Sequence, residues 1–169
     1  MSAATHPMPS SDAAWFHMDR PTNHMVINVV LTFDERLDLD RVRAIVRDRL
    51  VAPFPRFRQV VVRPGRPGGA LRWRDDERFD LDLHVHRRAL AAPGDDGALQ
   101  ELVADLMASA LDEGKPLWDL YYVEGYGAGC ALVARMHHCI ADGIALAQVM
   151  LGLTDAAGEV GEHAAQPAP

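Results

Sequence analysis

Apolar residues along the chain change their period several times, and each change marks an element. Residues 24–33 form a nearly unbroken apolar, β-branched run with Met25-Val26-Ile27-Asn28-Val29-Val30-Leu31 at its centre. It has too few polar breaks for an exposed strand, so the pattern predicts a strand buried on both faces. Leu39, Val42, Ile45, Val46 and Leu50 then keep helical spacing, predicting a helix opened by Leu37-Asp38-Leu39 and ended by Pro53 and Pro55. Arg41, Arg43, Arg47, Asp48 and Arg49 fill its other, solvated face. A strand over residues 57–62, a turn over 64–69 rich in Gly and Pro, and a return strand over 70–74 follow. Across residues 81–87, Leu83 and Val85 alternate with Asp82, His84 and His86, which predicts a strand carrying both histidines on one exposed polar face.

The clearest helix covers residues 95–110, where Leu99, Leu102, Val103, Leu106, Met107 and Ala110 recur at three and four. Asp95 or Asp96 caps its start and Gly114 is the expected stop. Leu117-Trp118 precedes a strand over 120–126, Gly127-Ala128-Gly129 turns the chain, and a second strand runs over 130–136. These two strands predict a hairpin. A short helix over 13–18, capped by Ser10-Ser11-Asp12, lies near the start, and a last helix is expected over 144–153. The organisation that results is a flexible tail over 1–9, one lobe over 10–153 and a linker-like tail over 154–169. Trp15 and Phe16 read as core anchors.

Composition narrows the class. The 169 residues are 49% apolar, enough for a real core, and carry a net charge of −7 without a basic stripe, so no nucleic-acid partner is expected. Cys130 and Cys139 are the only cysteines and form no CxxC pair, which fits a reducing cytosol. The start has no signal-like leader, and the longest apolar stretches are too short to span a bilayer. A cytoplasmic location is expected.

Candidate chemistry concentrates where the hairpin ends, at His137-His138, with Asp142-Gly143 just beyond. Neighbouring side chains on an extended segment point to opposite sides, so the two imidazoles do not serve one site. One can face a reaction channel while the other is held behind it. The same alternation argues against a shared metal, and His84 and His86 are not linked to this loop, so no metal is expected. Asp142 either orients an imidazole, ties the loop to an arginine, or simply caps the next helix. Gly143 permits a close backbone approach. Cys139 reads as a small packed residue.

His137-His138-Cys139-Ile140-Ala141-Asp142-Gly143 matches the HHxxxDG signature of the coenzyme A-dependent acyltransferases and peptide-synthetase condensation domains. Pro116-Leu117-Trp118, followed by Asp119-Leu120-Tyr121-Tyr122, resembles the PLW segment of bacterial wax ester synthase/diacylglycerol acyltransferases. Asp12-Ala13-Ala14-Trp15-Phe16 and Pro21-Thr22-Asn23-His24-Met25 resemble that family's opening. The resemblance covers about residues 10–153, in the family's order. It implies an α+β, chloramphenicol-acetyltransferase-like lobe with a mixed β-sheet and flanking helices. It implies an O-acyltransferase moving a fatty acyl group from acyl-CoA, a co-substrate rather than a cofactor, to a long-chain alcohol or diacylglycerol. By the same resemblance His138 is the general base, His137 supports the loop, and Asp142 pairs with an arginine, Arg135 being a candidate. Pro116, Leu117 and Trp118 pack the hairpin or shape the acyl channel, and the arginines of the 39–51 helix either stay solvated or meet coenzyme A phosphates. The implied partners are a second acyltransferase lobe, or self-association in its place, and a peripheral lipid or membrane surface. Two other readings are a condensation-type domain using carrier-protein thioesters and a half-size module that binds lipid or a partner without turnover.

Overall fold

A computed structural model describes residues 5–66 and 69–140. Asp142, Gly143, the helix expected over 144–153 and the tail over 154–169 lie outside the described residues, as do residues 67 and 68 of the turn.

The last hairpin is the centre of the molecule. Strands β6 (Trp118–Tyr126) and β7 (Gly129–His137) pair antiparallel. Gly127, at φ +54°, makes the turn between them, a conformation that L side chains rarely adopt. β2 (Val26–Phe33) pairs antiparallel along the other side of β7, with Ile27 opposite Met136 and Leu31 opposite Leu132. β5 (Val85–Ala89) runs parallel to β6, so the sheet has the order β2-β7-β6-β5. At Gly129 a β-carbon would collide with the carbonyl of Phe33, so only glycine lets β2 and β7 close at this end.

The sheet is covered on both faces, which explains why β6 and β7 read as apolar runs rather than alternating ones. α2 (Leu39–Ile45) continues as a π-helical turn over Val46–Val51. Its start is capped by Asp38, whose side chain accepts the Arg41 N–H. Val42, Val46 and Leu50 pack with Trp118, Leu120, Ala134 and Met136. α3 (Asp96–Met107), capped by Asp95, brings Leu99, Leu102, Val103 and Leu106 against Tyr121, Val123, Ala131 and Val133 on the opposite face. α1 (Ser10–Met18) contributes Phe16 to the first of these cores. A smaller sheet joins β3 (Gln59–Val62), β4 (Arg72–Asp75) and β1 (Thr5–Pro7) in the order β1-β4-β3. Its Trp73 is fully buried.

Several expectations are corrected. β2 is an edge strand among the described residues, and it is not buried on both faces: Val30 and Leu31 are 40% and 39% exposed. An unbroken apolar run does not say which side of a sheet it will occupy. Residues 5–9 are not a free tail, because Thr5–Pro7 pair with β4 and Met8 is buried. α1 begins at Ser10 after Pro9, without the side-chain cap expected from Ser10-Ser11-Asp12. The strand expected over 57–62 opens with a 3-10 turn, Pro55–Arg58. α3 ends at Met107, well before Gly114, where the Ser109 N–H and hydroxyl both turn back to donate to the Leu106 carbonyl at 3.2 Å and 2.8 Å.

His84 and His86 are not exposed together. Leu81–Leu83 is a 3-10 turn capped by Asp80, so His84 precedes the strand rather than alternating along it. His84 is buried between Phe79 and Trp118, ring centroids 5.3 Å and 4.6 Å away, and Nδ1–H donates to the Trp118 carbonyl at 2.8 Å. His86 is half-buried, with Nε2 3.0 Å from Asp119. Burial holds the His84 imidazole below its ordinary value, outweighing that hydrogen bond and the nearby Asp119 charge. A depressed histidine binds its proton more readily when unfolded. Its contribution is therefore complete above the unfolded value of about 6.5 and is lost as the pH falls below it. Urea unfolding is expected to show a steep loss of stability between about pH 7 and about pH 5, and His84→Gln a shallower one. Equal losses in the two proteins would contradict this assignment.

Candidate active site

The end of β7 is fastened from both sides. His137 N–H donates to the Leu117 carbonyl at 3.0 Å, and His138 N–H donates to the Met25 carbonyl at 2.8 Å. Successive N–H groups on a strand point to opposite neighbours, so the two histidines are tied to two different segments. Ile140 N–H then closes a turn on the His137 carbonyl at 3.0 Å.

The two side chains have different surroundings. His137 is 3% exposed, and its ring lies 5.7 Å from that of Phe16. Its Nδ1 accepts the Cys139 N–H at 3.1 Å, and its Nε2 lies 3.0 Å from Asp19 Oδ2. A nitrogen that accepts an N–H carries no hydrogen, so the neutral ring holds its hydrogen on Nε2 and donates it to Asp19. Burial depresses the His137 pKa more than Asp19 raises it, which keeps the ring neutral. The other Asp19 oxygen, Oδ1, lies 3.2 Å from His24 Nδ1.

His138 is half-buried. Its ring stacks on Trp15 at 4.2 Å with an interplanar angle of 17°. Its Nδ1 is buried and has no hydrogen-bond partner among the described residues. Buried polar atoms are nearly always satisfied, so an orphaned imidazole nitrogen calls for an explanation. Chemically, the arrangement offers one histidine whose nitrogens are both committed and one with a nitrogen left to take or give a proton.

Pro116, Leu117 and Trp118 are all buried. Trp118 Nε1–H donates to the Phe57 carbonyl at 2.8 Å, and its ring meets Phe57 edge-on at 5.8 Å. Trp118 also forms part of the wall of a cavity of about 620 Å³ between α2 and the sheet, shared with Leu31, Leu132 and Met136. It therefore packs the core and lines a space at once. Arg135 is 1% exposed. Its Nε donates to Asn28 Oδ1 at 3.3 Å, one terminal nitrogen to Ser109 Oγ at 3.1 Å, and the other to the Ser109 carbonyl. These bonds tie β7 to β2 and to the turn after α3; its expected partner Asp142 lies outside the described residues, as does Gly143. Burial pushes the Cys139 thiol well up, which suits a packed residue and not a nucleophile. On α2, Arg43 pairs with Asp40 and Asp82, and on the π-helical turn after it Arg47 pairs with Asp48. Among the described residues, no group of three or more His, Cys, Asp or Glu side chains could hold a metal ion.

The residues that the sequence reading did not single out are Asp19 and the Met25 carbonyl. Trp15, expected to anchor the core, packs against it and also covers His138. The only sequence signal was indirect: the two opening segments, residues 12–16 and 21–25, flank Asp19.

A family model described as wax ester synthase/diacylglycerol acyltransferase catalytic domain matches residues 8–169. The probable diacylglycerol O-acyltransferase tgs1 of Mycobacterium tuberculosis is 49% identical over 88 residues, 52% of this chain and 19% of the relative. The probable diacylglycerol O-acyltransferase tgs3 of the same organism is 33% identical over 141 residues, 81% of this chain and 52% of the relative. The chain thus spans about half or less of the length of these relatives. Among solved structures, the wax ester synthase/diacylglycerol acyltransferase of Marinobacter aquaeolei superposes with a TM-score of 0.69 at 23% identity, covering 86% of this chain and 36% of that one. A mutant starter condensation domain of rhizomide synthetase, in complex with C8-CoA, superposes with a TM-score of 0.70 at 15% identity, covering 89% of this chain and 34% of that one. At these identities the likeness shows the fold, and that fold is the expected α+β, chloramphenicol-acetyltransferase-like lobe.

The contrast between the two histidines has a direct chemical readout. Carbethoxylation of the folded protein, followed by mass spectrometry, is expected to label His138 before His137 and His84, which are 3% and 2% exposed. Trp15→Ala is expected to speed labelling of His138 severalfold and leave His84 unchanged. Labelling of His137 as fast as His138 would contradict the geometry.

Proposed function

The chain belongs to the wax ester synthase/diacylglycerol acyltransferase family, and from that membership we propose that it is the base-carrying part of an O-acyltransferase. The enzyme transfers a fatty acyl group from acyl-CoA to a long-chain alcohol or diacylglycerol, making wax ester or triacylglycerol. The observation that carries this reading is the free, buried Nδ1 of His138 at the second histidine of the HHxxxDG motif. The C8-CoA bound by the rhizomide synthetase condensation domain, which has the same fold, supports a coenzyme A thioester as donor.

In this mechanism an unprotonated nitrogen of the His138 ring takes the proton of the acceptor hydroxyl. The oxygen attacks the thioester carbonyl, forming the new C–O bond and a tetrahedral oxyanion. Collapse of that intermediate breaks the C–S bond, and the imidazolium returns its proton to the departing thiolate. An alcohol is a poor nucleophile near neutral pH, so a positioned base contributes about 10²–10⁴-fold, or about 3–5 kcal/mol of barrier. The face of Trp15, stacked on His138, favours the transient imidazolium through its ring quadrupole. His137, with both nitrogens engaged, holds the loop. Asp142 and Gly143 complete that loop, the first as the partner of an arginine and the second as a point of close backbone approach. Trp118, on the wall of the apolar cavity, helps shape the acyl channel.

The acyl carbonyl and the hydroxyl must be held together away from water. A second acyltransferase lobe supplies the facing wall of the site, and the chain alone self-associates through the apolar surface that lobe would cover. Among the described residues no helix is long and apolar enough to cross a membrane. In this reading the lipid acceptor is met at a peripheral membrane or lipid surface.

The test is His138→Ala in the complete enzyme, with thiol release from a long-chain acyl-CoA and alcohol followed alongside circular dichroism. Turnover is expected to fall by about 10²–10⁴-fold with the fold intact. Near-normal turnover in a folded variant would remove His138 from the mechanism.

A further inference from the structure

We propose that Asp19 is a positioning residue for acyl transfer, acting through His137 and the Cys139 amide on the backbone that carries His138; this rests on the base role proposed for His138. Asp19 follows α1, in the stretch between the two opening segments. Three hydrogen bonds in series run from this stretch to the motif, and the one between Asp19 and His137 crosses from one to the other. His24 Nδ1 lies 3.2 Å from Asp19 Oδ1, His137 Nε2 lies 3.0 Å from Asp19 Oδ2, and Cys139 N–H donates to His137 Nδ1 at 3.1 Å. The last of these amides belongs to the residue directly after His138.

The backbone that carries Asp19 is itself held in place. Arg20 donates to the carbonyls of Asp19 and His17 at 2.8 Å and 2.6 Å. The Arg20 and Asn23 backbones bond to each other in both directions, at 3.2 Å and 2.9 Å. This small bridge fixes the turn that returns the chain to His24 and Met25. Met25 in turn accepts the His138 N–H. The same short segment thus contacts the motif twice, once through the His138 backbone and once through the His137 ring.

The network works in one protonation pattern only. His137 Nδ1 must be an acceptor for Cys139, so Nε2 must carry the hydrogen, and Nε2–H needs an acceptor. Asp19 is that acceptor. Without it, the ring can take the other tautomer or rotate, and the Cys139 amide then faces an N–H or loses its partner. Either change shifts the backbone that sets the direction of the His138 ring. A displacement of that kind lowers turnover without removing any group that touches substrate.

The experiment uses the complete enzyme. Asp19→Ala is expected to lower kcat by between about tenfold and about a hundredfold while KM for acyl-CoA changes little. Asp19→Asn, whose side-chain carbonyl can still accept from His137 Nε2–H, is expected to recover most of that loss. In parallel, nitrogen NMR of the enzyme labelled in its histidines is expected to show His137 as a single Nε2–H tautomer in the parent and Asp19→Asn proteins. In Asp19→Ala it is expected to show a mixture. Should Asp19→Ala not fold, Asp19→Ser, too short to reach the ring, takes its place. Parent-like kcat in a folded Ala or Ser variant, or an unchanged His137 tautomer in it, overturns the proposal. So does an Asn variant as poor as Ala. The NMR arm reads the Asp19–His137 link directly, so failure of the base reading at His138 is distinguishable from failure of this one.

Discussion

Two consecutive backbone hydrogen bonds organise the site. The His137 N–H reaches Leu117 and the His138 N–H reaches Met25, one on each side of the same strand end. Because β7 is paired along both edges, it has no freedom to slip: a one-residue shift would reverse every inward and outward side chain. Three stretches far apart in sequence, the opening segment, the Pro116-Leu117-Trp118 segment and the paired histidines, are thereby one structural unit. The aromatic stack of Phe79, His84 and Trp118, with the Trp118 indole bonded to Phe57, braces the Leu117 side of that unit from the core.

This fastening divides the labour of the two histidines. Held behind the strand end, His137 spends both nitrogens on protein partners, and burial keeps its ring neutral. Its neighbour keeps one nitrogen unspent and one ring face against Trp15. A base must have a lone pair to offer and a fixed direction in which to offer it. For the base role proposed for His138, the first corresponds to an Nδ1 with no partner among the described residues, and the second to the bonds at its own amide and at the amide of Cys139.

How much of this was legible in the sequence depended on the range of the interaction. β6 and β7 were clear because burial on both sheet faces leaves short, nearly unbroken apolar runs, and α3 because burial along one helix face imposes a helical period. The separation of His137 from His138 followed from strand geometry alone. The edge position of β2 was not legible, because an apolar run is equally suited to the middle or the side of a sheet. Thr5–Pro7 escaped because its strand is short and is held by backbone bonds to β4, which leave no pattern in side chains. His84 was misplaced because the 3-10 turn capped by Asp80 takes up Leu81–Leu83 and the strand begins only at Val85. Asp19 was invisible because its partner lies 118 positions along the chain, and no local spacing encodes a contact of that length.

The central claim is that His138 exchanges the proton and His137 does not. Chemical rescue tests it most directly: imidazole added to the complete enzyme bearing His138→Ala, and separately to the enzyme bearing His137→Ala. In the first case the missing base is a freely replaceable proton acceptor, so turnover should rise with imidazole concentration. In the second the loss is one of architecture, so imidazole should leave the residual rate where it is. Rescue of the His137 variant with none for the His138 variant would contradict the account.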